Sequence, residues 1–388
     1  MQKPEHYKGR EHSRIKHYLL ESYLKTLFMI IGQTEKRICY IDCFSGPWQE
    51  SGQNLEGTSI VLSLKVMEEC RESLKKRGKS VEFRALFIEK GKSSYKKLDT
   101  YLKETQLDGI TTEAMNGEFH NLRTEILSWC GARDFAFFFI DPKGWKNAVE
   151  ISTLTPLLQR PKSEYLINFM YDFLLRTHTQ KAFQDDMEAI FGEVPDTSGM
   201  CPKERENHLI QLYRNGLISI PADNADKLRS AYVSILDPVK DRTKYHLVYL
   251  THHPLGIIKF MAASEKMDIV QKQVRTKTKL DRRSEDTGMD DLFSSVEVEH
   301  VTDTDTTDIE AVKAYWLNRL SNTPQRFRID DLADMLEETN WFESNLQLAF
   351  KELANEGKVT NLDAPAPNKR SKNLVHFKKK ERLQRISP

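Results

Sequence analysis

One stretch, Arg37 to Trp48 (RICYIDCFSGPW), most constrains what this chain can fold into. Ile38, Cys39, Tyr40 and Ile41 form an apolar, β-favouring run that ends on Asp42 and then breaks into Ser45, Gly46 and Pro47. That pattern predicts a buried strand running into a tight turn. In open α/β sheets ligands sit in the crevice beyond the carboxyl ends of the strands. The turn is therefore a candidate binding loop, with Asp42, Phe44 and Gly46 as its candidate residues.

Three later strands also end on polar residues. VEFRALFI, Val81 to Ile88, ends on Glu89, where nucleotide-binding α/β folds place a carboxylate that accepts hydrogen bonds from ribose hydroxyls. Gly46 and Glu89 lie more than twice as far apart as the roughly 20 residues usual for that pairing, so a long loop and a helix must intervene. DFAFFFI, Asp134 to Ile140, is the most hydrophobic run and predicts a central strand buried on both faces; it ends on Asp141 in DPKGW. Asp141 there can accept a hydrogen bond from an amine or act as a base, although Asp-Pro-x-Gly is also ordinary turn chemistry. YLINFM, Tyr165 to Met170, places Asn168 near the same crevice.

Around these strands the helical periods are legible. Ser13 to Ile31 is amphipathic, with Lys16, His17 and Lys25 off its apolar stripe and His17 expected at the surface. Thr58 to Cys70 and Ser94 to Leu102 follow, with a short strand at Ile110 to Thr112. Residues 181–224 are helical and polar, broken by Pro195, Gly199 and Pro202, and predict an insertion over one edge of the sheet. Tyr245 to Thr251 predicts another strand. His252 and His253 after it face opposite ways on an extended chain, so no joint metal site is expected there.

Charge is nearly balanced, 58 basic against 57 acidic residues, which gives no global attraction to nucleic acid or membrane. Its distribution is uneven. Residues 274–308 lose hydrophobic periodicity and become acidic, predicting a flexible linker, whereas the last residues, 381–388, form a basic tail. The five cysteines lack zinc or disulfide spacing, and no apolar run approaches the roughly 20 residues of a membrane span. A soluble cytoplasmic protein without membrane contact is expected.

Order resumes at Ile309. Helices over Ile309 to Leu320, Ile329 to Leu336 and Glu343 to Asn355, the last capped by Asn340, precede strands at Lys358 to Leu362 and Asn373 to Phe377. Three helices and a hairpin predict a winged helix-turn-helix over residues 309–380. In that architecture the third helix enters the major groove and the wing meets phosphate. Lys351 on the third helix and Lys369, Arg370 and Lys372 in the wing loop are the candidate nucleic-acid contacts, with a protein-docking module as the alternative.

In combination, KHYLLESYL at Lys16 to Leu24, YIDCFSGP, FIE at 87–89, FIDP at 139–142, INF at 167–169 and YLTHHPLG at 249–256 resemble the three-Cys-motif partner protein family (TcmP). The resemblance implies a Rossmann-like α/β fold of the class I methyltransferase type over residues 1–273, with a helical insertion and a C-terminal winged helix. It implies S-adenosylmethionine as cofactor, held by Asp42, Phe44, Gly46 and Glu89, with the adenine near Asn116 and Glu118. Asp141 and Asn168 would be the catalytic pair orienting the methyl acceptor, with DNA or RNA the expected substrate. It also implies a partner, a three-cysteine protein that resembles radical enzymes binding an iron-sulfur cluster. Trp48 stands where the family loop carries a second glycine, and DPKGW lacks the second proline and the aromatic of the amino-methyltransferase motif. Two alternatives follow: a non-catalytic scaffold of the same fold, and a metal-dependent nuclease using Asp42, Glu89 and Asp141.

Overall fold

The computed structural model describes residues 11–46, 58–177, 180–221, 227–287, 307–364 and 374–386. Strands β1 (Arg37–Asp42), β2 (Glu82–Glu89), β3 (Ile110–Asn116), β4 (Phe135–Ile140), β5 (Ser163–Phe169), β6 (Arg229–Leu236) and β7 (Thr243–Thr251) form one sheet. Its order is β3-β2-β1-β4-β5-β7-β6. The first five strands are parallel, and β7 runs antiparallel between β5 and β6. The chain winds outward from β1 to β3 and returns at β4. The tips of β1 and β4 therefore flank the point where strand order reverses, the place where such sheets leave a crevice.

Alternate residues of each strand feed two cores, as the period of two requires. Tyr40, Phe83, Phe87, Phe137 and Phe139 face α1 (Glu11–Ile31), α2 (Ser59–Lys76), α3 (Lys92–Glu104) and α9 (Pro254–Thr287). Ile41, Ile88, Phe138, Ile140 and Ile167 face α4 (Arg123–Cys130), α5 (Ile151–Leu158), α7 (Gln184–Phe191) and α8 (Pro202–Ile218). A short α6 (Tyr171–Thr177) leaves the tip of β5. Every residue of β4 and β5 is buried, which explains why neither strand alternates in polarity.

Beyond α9 lie α10 (Ile309–Arg319), β8 (Gln325–Arg326), α11 (Ile329–Thr339), α12 (Glu343–Asn355), β9 (Val359–Asn361) and β10 (Arg382–Arg385), with the small sheet ordered β8-β10-β9. This is a winged helix. It docks through α11 onto α9 and β6. Arg229 of β6 pairs with Asp334 and, at 2.8 Å, with Glu337, whose Oε1 also accepts the Ser230 N–H at 2.8 Å. Burial pushes the Glu337 carboxyl up, against the pull of Arg229. Among the described residues no helix is long and apolar enough to cross a membrane.

Several expectations need correction. Strand β6 is missing from the strands that the sequence pattern predicts: Arg229, Ser230 and Ser234 interrupt its apolar run, which an edge strand tolerates. The segment expected as linker from Val274 continues α9 to Thr287, and Val274 itself is buried in the core. The acidic residues 288–306 lie outside the described residues. The insertion covers a face rather than an edge. Met187, Ile190 and Phe191 of α7 and Leu209 and Leu217 of α8 join the second core, and Tyr213 of α8 stacks on Phe169 at 4.3 Å.

Asn340 ends α11 in the left-handed region, φ 57°, and Phe342 stands at the cap of α12. The second wing strand is β10 rather than Asn373 to Phe377, because Leu383 is the buried residue of that edge. Its four residues fall within the stretch expected as basic tail.

Candidate functional site

The crevice at the tips of β1, β2 and β4 holds a cavity of about 570 Å³. That is within the range of small-molecule sites. Phe44, Gly46, Glu89, Glu118, Phe119, Asp141, Lys143 and Trp145 are among its lining residues. Sequence positions separated by a hundred residues thus converge on one pocket.

The loop after β1 is held from both sides. Cys43 N–H donates to the Phe139 carbonyl at 2.9 Å and Ser45 N–H to the Ile88 carbonyl at 2.9 Å, so the loop is pinned between β4 and β2. Asp42 does not reach the cavity lining. It is fully buried, accepts the Phe44 N–H at 3.1 Å and accepts the Ser59 hydroxyl at 2.6 Å. Burial pushes its carboxyl up to about 6, against the lowering effect of those two donors. Asp42 therefore shapes the loop and tethers it to the first turn of α2. Trp48 lies outside the described residues.

Glu89 is 8 % exposed, and its Oε1 accepts the Gly91 N–H at 2.5 Å. Its Oε2 lies against Gly46, where a Cβ would come within 1.6 Å of it. The missing side chain of Gly46 is what lets the carboxylate lie against the loop. Asn116 is the last residue of β3, which runs beyond the expected end at Thr112, and its amide donates to the carbonyls of Glu89 at 2.8 Å and Lys90 at 3.3 Å. It braces the tip of β2 and is absent from the cavity lining. Glu118 does line the cavity, 3.6 Å from the His120 ring nitrogen, and Phe119 packs against Phe44 with ring centroids 5.3 Å apart.

Asp141 follows β4 with both oxygens engaged. Lys16 donates to Oδ2, and the Asn168 amide donates to Oδ1 at 2.7 Å. Asn168 stands behind Asp141, outside the lining, and its own Oδ1 is buried with no partner among the described residues. Lys16 and His17, expected off the buried stripe, are both only 8 % exposed. Lys16 is the residue that sequence reasoning missed: its partner lies 125 positions away. The KHYLLESYL motif was the available signal. Replacing Lys16 by Met should cost about 2 kcal/mol, because a largely buried carboxylate loses its cation. The double variant Lys16→Met/Asp141→Asn should recover most of that loss in a denaturation cycle. Equal, additive losses would show that the pair contributes nothing.

Asp42, Glu89 and Asp141 end adjacent strands but turn apart, toward Ser59, Gly91 and Lys16 respectively. Among the described residues no group of three or more His, Cys, Asp or Glu is placed to hold a metal ion. The nuclease expectation therefore lacks the convergence of acids it requires. Lys351 is exposed on α12, while Lys369, Arg370 and Lys372 lie outside the described residues.

The strand order, with β7 antiparallel between β5 and β6, defines a Rossmann-like α/β sheet of the methyltransferase type joined to a winged helix. Residues 279–366 match the profile of a family described as the GMT-like wHTH domain. A solved loganic acid methyltransferase with SAH is similar over 92 % of each chain at 10 % identity, with a TM-score of 0.26, too loose a superposition to transfer a site. No curated protein matches the chain.

Proposed function

We propose that this protein is an S-adenosylmethionine-dependent methyltransferase whose acceptor is a nucleic acid. The observation that carries the cofactor assignment is the Glu89–Gly46 contact at the strand reversal. A nearly buried carboxylate has one oxygen fixed by the Gly91 N–H and the other against a glycine on the cavity wall. Diol recognition by a nucleoside needs such an acceptor, held with little freedom. Phe44 and Phe119 add apolar wall, and Glu118 adds a second acceptor.

When bound, the cofactor supplies an electrophilic methyl group on a sulfonium. Glu89 would hold its ribose, and the pinned loop from Cys43 to Gly46 would let the cofactor lie close against backbone. Asp141, aligned by Lys16 and Asn168, orients the acceptor at the tip of β4. Most of the rate then comes from alignment of acceptor and donor. The engagement of both Asp141 oxygens favours a positioning carboxylate over a free base.

The winged helix supports nucleic acid as the acceptor class. A three-cysteine partner rests on the family resemblance alone. Transfer of a labelled methyl group from S-adenosylmethionine to DNA and RNA tests the reading: incorporation that is lost in Glu89→Gln is the expected result. Labelling of neither polymer, with the cofactor bound, would overturn the acceptor assignment.

A further inference from the structure

The winged helix carries two surfaces that could meet a duplex, and they are not equally equipped. On α12, the helix expected to read bases, Asn345 and Gln347 are turned inward. Asn345 accepts the Phe342 N–H at 2.8 Å, and Gln347 is spent on Val375 and Leu374 backbone at 2.8 to 3.1 Å. Ser344, in its first turn, donates to Glu265 of α9. Glu352 is tied to Lys313 at 2.7 Å. Apart from Ser344, whose hydroxyl is engaged by Glu265, what α12 leaves exposed is Leu348, Lys351 and Asn355, a poor set for base edges or phosphate.

The other surface is basic. Arg326 of β8 sits directly opposite Arg382 of β10, and the turn leading into β10 carries Lys378, Lys379 and Lys380. All five are exposed. Arg382 is shared with Asp363 at 2.6 Å, whereas among the described residues the side chains of Arg326, Lys378, Lys379 and Lys380 have no hydrogen-bond or ion-pair partner. The turn is rigid: Phe377 is buried beneath it, Lys380 N–H returns to the Phe377 carbonyl at 3.1 Å, and the adjoining Glu381 is buried on the Asn361 and His376 donors. The charges are thus concentrated on one fixed turn and strand edge.

We infer that this edge, Arg326 with Lys378 to Lys380, is a docking surface for the phosphate backbone of duplex DNA, and that α12 reads no bases. The inference rests on nucleic acid being the acceptor class and assigns where and how it is held. A duplex offers one phosphate charge per roughly 1.7 Å of axis, which a compact basic cluster matches. No aromatic is exposed among these bases to stack a single strand. Duplex RNA is gripped across two successive minor grooves, a span of about 16 base pairs that a single turn and strand edge do not offer. Contacts of this kind fix position without reading sequence.

The test is fluorescence anisotropy of the full chain with a labelled DNA duplex across a salt series, beside an RNA duplex of the same sequence. The charge-reversal variant Lys378→Glu/Lys379→Glu should weaken DNA binding at least about tenfold and reduce the salt slope by about two, one per phosphate contact. Lys351→Glu should change binding less than about threefold, and scrambling the duplex should change nothing. Unaltered melting temperatures certify the fold of both variants. Wild-type DNA binding that survives the double reversal, or that is lost in Lys351→Glu, overturns the surface and leaves the acceptor class standing. Tighter binding of the RNA duplex overturns the choice of DNA. Absence of binding to either polymer overturns the surface and the acceptor class together.

Discussion

Replacing Gly46 by alanine should weaken cofactor binding on the order of a hundredfold while leaving the fold intact. The added Cβ would fall 1.6 Å from Glu89 Oε2 and 2.7 Å from its Cδ. Since the obstacle is the far end of a flexible side chain, the backbone need not move; the carboxylate swings away. The stability lost is then that of the Gly91 N–H bond to the carboxylate, about 1.5 kcal/mol. Binding suffers more. Loss of a charged acceptor from the ribose contributes about 1.5 to 3 kcal/mol, and the methyl group narrows the wall, so S-adenosylhomocysteine should bind on the order of a hundredfold more weakly. Because both changes remove the same contact, the double variant Gly46→Ala/Glu89→Gln should be little worse than either single one. Additive losses would mean that glycine and glutamate act on different parts of the ligand.

The second large effect is on stability and depends on pH. Burial holds the Asp42 carboxyl at about 6, against an ordinary value of 3.8. The folded state therefore binds this proton more tightly than the unfolded one, and wild-type stability declines as pH rises from about 4 to about 6. The gap of roughly two pKa units corresponds to about 3 kcal/mol at neutral pH. Asp42→Asn removes the ionisation. Its amide oxygen still accepts the Phe44 N–H, and its NH₂ can donate to the Ser59 hydroxyl. The variant should melt several degrees above wild type at pH 7.5 and at the wild-type temperature near pH 3.5. A variant less stable at both pH values would show that the ionised carboxylate, with its two donors, stabilises the loop.

The strand tips were legible because the physics that makes them is local. YIDCF, LFIE and FFFID are apolar runs cut off by one polar residue, and burial on both faces of β2 and β4 makes those runs continuous. The cavity's Phe44, Gly46, Glu89 and Asp141 followed from them. Long-range pairing was hidden. Lys16 reads as the polar flank of an amphipathic helix until β4 delivers Asp141 to it, and the strand expected at Ile110 to Thr112 reaches Asn116 only because β3 pairs with β2 through Glu89. Edge position concealed β6, whose Arg229 and Ser230 face the docked winged helix. The length of α9 was concealed for a related reason. Its outer face is charged, as any solvated helix face is, and in its later turns the packing side is marked by Val270, Gln271 and Val274.

Calorimetric titration of the wild-type chain and Glu89→Gln with S-adenosylhomocysteine decides whether the crevice holds the cofactor through Glu89. The account predicts a one-to-one complex with wild type, and binding weakened about a hundredfold or more in Glu89→Gln at an unchanged melting temperature. Wild type that takes up no ligand at millimolar concentration, or a Glu89→Gln variant that binds as wild type does, would contradict it.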